Sequence, residues 1–170
     1  HNLLNAEQSI VEQATSQANG HGPDMPAAEI EIISVNSTAN DVTVDVLITN
    51  HTGHKCPTGA GFRRAWLQMS VLGSGGNVIW VSGQPNAWGA ICDGVCNAAG
   101  SNLLTSEFTS DYTQLQPHYS TITSQDQVQI YEKHETDDLG VLTSRTLSLF
   151  WGAKDNRILP LGYVPLAQCD

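Results

Sequence analysis

Val42, Val44, Val46 and Ile48 alternate with Thr43, Asp45 and Leu47. That period of two puts the valines and the isoleucine on one face of an extended strand. It is the cleanest of several short segments of the same kind. Ile30, Ile32 and Val35 open an earlier strand region. Ala65–Val71 and Asn77–Val81 flank Gly73-Ser74-Gly75-Gly76 and read as a hairpin about a glycine turn. Val128–Glu132 and Thr146–Trp151 read as later strands, with the turn Asp137-Asp138-Leu139-Gly140 between them. Residues 83–120 show weak periodicity and many small side chains, which predicts a long functional or capping loop. The stretch Lys154–Gly162 is irregular but apolar enough to pack. Six or more short strands separated by turns predict a mainly β chain, an antiparallel β-sandwich with long loops, over residues 28–170.

Ahead of it, Leu3, Leu4, Ile10, Val11 and Ala14 recur at helical spacing with Glu7, Gln8, Glu12 and Gln13 between them. This predicts an amphipathic helix over 3–18, stopped by Asn19-Gly20 and Gly22-Pro23. Helix and linker account for residues 1–27. A chain of 170 residues is long enough for one domain with its own core, and no internal repeat is visible.

The net charge of -10 argues against nucleic acid and anionic membrane surfaces as partners. No apolar run approaches the roughly 20 residues of a membrane-spanning helix. No signal peptide is visible. The chain is therefore either a processed form, with His1 a true N-terminus, or a fragment of something longer. Only 14% of residues are charged, while small polar residues are plentiful, which suits a secreted or surface protein. An extracellular, cell-surface or periplasmic location follows as the expectation.

Cysteines stand at 56, 92, 96 and 169. The even number fits an oxidising compartment, with Cys92–Cys96 as a small local loop and Cys56–Cys169 as the remaining pair. The rival is Cys92-x3-Cys96 as half of a zinc site, but no second pair lies at the matching spacing. There is no Cys-x-x-Cys-His, so no c-type haem is attached within this chain.

The densest chemistry lies in Asn50–Gly59. His51, His54 and Cys56 form His-x2-His-x-Cys, and imidazole with thiolate suits copper or zinc. Gly53 lets the backbone at His54 approach a partner closely. Arg63 and Arg64 could bind an anion such as a propionate. The other reading is an ion pair with a carboxylate, Glu132 or Asp155. Trp66 and Gln68, two apart on one expected strand, share a face and together suggest a polar pocket. His118, in Pro117-His118-Tyr119, is a further candidate metal ligand. His1 becomes one if its amine is free. His21 and His134 sit in polar stretches and read as solvent-facing. No Gly-x-Ser-x-Gly, His-Glu-x-x-His or phosphate loop is present, and the chain reads as a binding module rather than an enzyme.

Thr52-Gly53-His54-Lys55-x-Pro57-Thr58-Gly59, followed by Arg63-Arg64-Ala65-Trp66-Leu67, resembles a β-sandwich domain at the C-terminal end of bacterial multihaem c-type cytochromes. The likeness continues in order through Val78–Gly83, Pro117-His118-Tyr119, Val128–Glu132 and Lys154–Pro160, spanning about residues 40–163. It implies a surface module in electron transfer or metal handling, partnered by a multihaem cytochrome or by copies of itself. It also implies haem contact through a partner or a preceding domain, with His1 at the position of a haem ligand. The same kind of domain is similar to surface copper-binding proteins of methanotrophic bacteria. There two histidines and a tryptophan hold copper. By that resemblance Trp66 and His118 match, but Gln68 stands where a histidine is expected, so His1, His51 or His54 would have to replace it. Copper acquisition is the alternative function, and a secreted copper oxidoreductase using His1 is a third. Cys56 and the Cys92–Cys96 pair depart from the cytochrome pattern.

Overall fold

A computed structural model describes residues 26–59 and 62–164. The helix expected over 3–18 lies outside the described residues, as do His1, His21 and Cys169. The described chain is mainly β, with every strand pairing antiparallel. It forms two units, one comprising the residues up to Thr58 with those from Ile158 onward, the other running from Gly59 to Arg157.

In the first unit, strand β1 (Ala28–Ser37) pairs with β2 (Val42–Asn50). Ile30 faces Ile48, Ile32 faces Val46 and Val35 faces Val44. Ile32 and Val35 are three residues apart, which in a regular strand would put them on opposite faces. The ladder slips at Ile33, a bulge that restores Val35 to the apolar face. The opposite face carries Glu31, Ser34 and Asp45, with Ser34 Oγ donating to the Asp45 carboxylate. The alternation in β2 thus specifies the strand and its faces. It does not bury them, for Val42, Val46, Ile32 and Val35 all remain exposed.

Asn50, 2% exposed, ends β2 and holds the following loop together. Its amide donates to the carbonyls of His54 (2.7 Å) and Ile158 (3.0 Å). Its side-chain oxygen accepts from the Thr52 N–H (2.9 Å) and hydroxyl (2.7 Å). Cys56 and Ile158 exchange both backbone hydrogen bonds (2.9 and 2.7 Å).

In the second unit, strand β6 (Ile130–Thr136) is central. It pairs with β3 (Arg64–Trp66), β7 (Leu142–Thr143) and β8 (Trp151–Asp155). A separate hairpin joins β4 (Met69–Leu72) to β5 (Val78–Ser82) about Gly73–Gly76, as the glycine run predicts. The single strand expected over 65–71 is broken at Leu67 and Gln68. Leu67 still donates to Gln129 O beside β6, whereas Met69 pairs with Ser82 in the other ladder. The chain changes ladder between them, and Gly83 makes room. Its φ is +77°, and a Cβ there would sit 2.2 Å from Leu67 O.

The later strands are displaced from their predicted places. β6 starts two residues after Val128 and runs four residues past Glu132. The Asp137–Gly140 turn forms, with Asp137 Oδ1 accepting from the N–H groups of Leu139 and Val141. It leads into β7 rather than into the expected strand at 146–151. Thr146–Ser148 is a 3-10 turn instead, and pairing resumes only at Trp151.

Ile91, Leu104, Val128 and Ile130 form the core, with Trp66 packed against them. Two of these come from the long loop. Its backbone is fixed by Asn86 Oδ1, which accepts from the N–H groups of Trp88 and Ala90, and by the Cys92–Cys96 disulfide. The loop therefore supplies core as well as covering it.

Candidate functional site

A shallow groove of about 260 Å³ lies in the second unit. It is lined by Tyr112, Gln116 and His118 on one side and Lys154, Asp155 and Asn156 on the other. His118 is exposed, but its Nδ1 is turned toward Gln129, which is 1% exposed. Gln129 Oε1 accepts from the Tyr119 backbone N–H (2.6 Å). An N–H can only donate, so this contact fixes which end of the amide is oxygen. Gln129 Nε2 therefore points at His118 Nδ1, 3.0 Å away, and donates to it. Burial pushes the Tyr131 phenol pKa up, with the Gln129 hydrogen bond working against it.

Below the groove sits a charged cluster. Glu132 is buried, with Lys154 Nζ 2.7 Å from Oε1 and His134 Nε2 2.9 Å from Oε2. Burial alone would raise the Glu132 pKa. The hydrogen bonds from His134 and Lys154, with their charges, outweigh that and hold it below the usual carboxylate range. Asn156 closes the cluster, donating to Ile130 O (2.8 Å) and accepting from the Glu132 N–H (3.1 Å). Beside it, Arg157 pairs with both oxygens of Asp155 (2.9 Å each). His134 thus lies half-buried against a carboxylate rather than facing solvent.

The other candidates fall in different places. Arg64 makes the structural ion pair that the sequence allows for, but with Glu107, through two contacts of 2.5 and 3.0 Å. Glu107 lies in the weakly periodic 83–120 region, where no pattern marks it as a partner. Arg64 also donates to Gly89 O and lies 5.5 Å from the Trp66 ring centre. The hydrogen bond to Glu107 outweighs desolvation and raises the Arg64 pKa further. Arg63 lies against Gly59. Trp66 donates its indole N–H to Gly83 O (2.9 Å), while Gln68, in the break, is exposed.

His51 pairs with Glu29 (3.1 Å), and His54 Nδ1 lies 3.1 Å from the Thr52 hydroxyl. Cys56 is a half-buried thiol whose pKa burial pushes up. Among the described residues, no three His, Cys, Asp or Glu side chains converge on one point. Copper would meet His118 at Nε2, the nitrogen that carries the proton while Nδ1 accepts from Gln129. Binding there requires losing that proton or turning the ring, so the arrangement suits a hydrogen-bond donor better than a metal ligand. Gln129 and Lys154 were missed as site residues in the sequence, and His134 was read there as solvent-facing. The available signal was Gln129 itself, an amide between Val128 and Ile130 in a segment that reads as core strand.

Comparisons with known proteins return nothing: no family model, no curated protein and no solved structure matches the chain.

Proposed function

We propose that the chain is a non-catalytic binding or assembly module of the cell exterior, a β-sandwich related to the terminal domains of multihaem cytochromes. The apolar end of the four-stranded sheet carries this reading. Thr136 pairs with both Leu142 and Trp151 there, and its carbonyl accepts from the Phe150 N–H. Around it Leu139, Leu147, Phe150 and Trp151 are 83%, 102%, 76% and 66% exposed. Large apolar side chains gathered at one end of a sheet mark a contact surface, and aromatic residues supply most of the energy in such contacts. The Cys92–Cys96 disulfide supports an oxidising location. Among the described residues no helix is long and apolar enough to cross a membrane. The amphipathic β1–β2 hairpin supports the sandwich, since its apolar face is of the kind a second layer covers. Of the segments that carry the cytochrome resemblance, those at Arg63–Leu67 and Val78–Gly83 contain β3 and β5, those at Val128–Glu132 and Lys154–Pro160 overlap β6 and β8, and Thr52–Gly59 and Pro117–Tyr119 lie in loops.

The test is cross-linking on the native cell surface, followed by haem staining of the captured partner. A haem-containing partner should be captured by the native chain and lost with Phe150→Ser/Trp151→Ser of unchanged circular dichroism. Equal capture by both would sink the docking end. One copper per natively purified chain, lost on His118→Ala, would instead establish the copper reading.

A further inference from the structure

We infer that Gln129 is a positioning residue that holds His118 in its Nε2–H form, so that the groove offers a donor to an uncharged carbonyl. The chain of contacts has one consistent polarity. The Tyr119 N–H fixes Gln129 Oε1 as the acceptor (2.6 Å), so Nε2 faces His118 Nδ1 (3.0 Å). In the neutral ring the proton then lies on Nε2. His118 lines the groove, and with Nδ1 held by the buried amide, Nε2 is the ring nitrogen left to meet a ligand. A buried glutamine whose oxygen and nitrogen are both committed is costly to arrange, and its effect is to orient one exposed ring.

The charged residues that line the groove, Lys154 and Asp155, are each paired. Lys154 is neutralised by Glu132, and Asp155 by Arg157. With a chain charge of -10, nothing here favours an anion. The ligand class that remains is an amide carbonyl, as a peptide segment of a partner would present. The groove is lined by residues other than those of the apolar end, and the inference does not rest on that end.

Long-range proton–nitrogen NMR on the full chain reads the tautomer directly, with His118→Gln assigning the signals. At alkaline pH, where imidazoles are neutral, Nε2 should carry the proton and Nδ1 the lone pair. Finding the proton on Nδ1 would overturn the inference whatever the variants do. In Gln129→Glu the carboxylate can only accept, so the tautomer should invert to Nδ1–H. An unchanged tautomer in a folded Gln129→Glu would remove Gln129 from its role. N-methylacetamide should shift the His118 Nε2–H signal saturably in the native chain and leave the signals of His51 and His54 unmoved. A shift with acetate alone would make this an anion site, and no shift with either would leave no ligand site there.

Discussion

Arg64 and Glu107 hold 43 positions of sequence together through one bidentate contact. The Glu107 side chain is 3% exposed. Arg64→Ala should therefore cost about 3 kcal/mol, most of it the cost of a buried carboxylate left without its partner. Urea unfolding measures this, and Arg64→Ala/Glu107→Leu should recover a large part of the loss. Glu132 gives a second test by pH. Its pKa is lowered in the folded chain, so its contribution is fully present above the unfolded value of about 4.3. That contribution is lost as pH falls through the lower folded value. Acid unfolding followed by tryptophan fluorescence should show a shallower dependence on pH in Glu132→Gln than in the native chain over that window.

Among the elements, the crossing at Leu67–Gln68 depends on Gly83. Gly83→Ala places a methyl group 2.2 Å from a backbone oxygen at a φ of +77°. The expected loss is at least about 3 kcal/mol, seen as a lower urea midpoint with β4–β5 amides exchanging faster. Period-two segments were legible where both flanks carried turn residues: β1, β2 and the β4–β5 hairpin all lie where the sequence puts them. The break within 65–71 was not legible, because the close approach that accompanies it is to Gly83, which is distant in sequence. Thr146–Trp151 looks like a strand by composition, yet Leu147 has nothing to pack against and the backbone turns instead. At the site, His118 was visible as a residue type. Its role was not, because that depends on which atom of Gln129 faces it.

For the whole molecule, charge and exposed apolar surface oppose each other. A net charge of -10 keeps copies apart, and it vanishes near pH 4.8. Light scattering should peak near that pH, and Phe150→Ser/Trp151→Ser should lower the peak. An unchanged peak would mean that the apolar end does not drive association.

Asn50 carries a practical consequence. Asn50-His51-Thr52 has the spacing that eukaryotic secretory machinery reads as a glycan acceptor. The amide that would carry the sugar belongs to a buried side chain and donates to the carbonyls of His54 and Ile158. A glycan there and the folded loop exclude one another. Secretion from a glycosylating host would divide the product between an unmodified folded form and a sugar-bearing form unable to close the turn around His54 and Ile158.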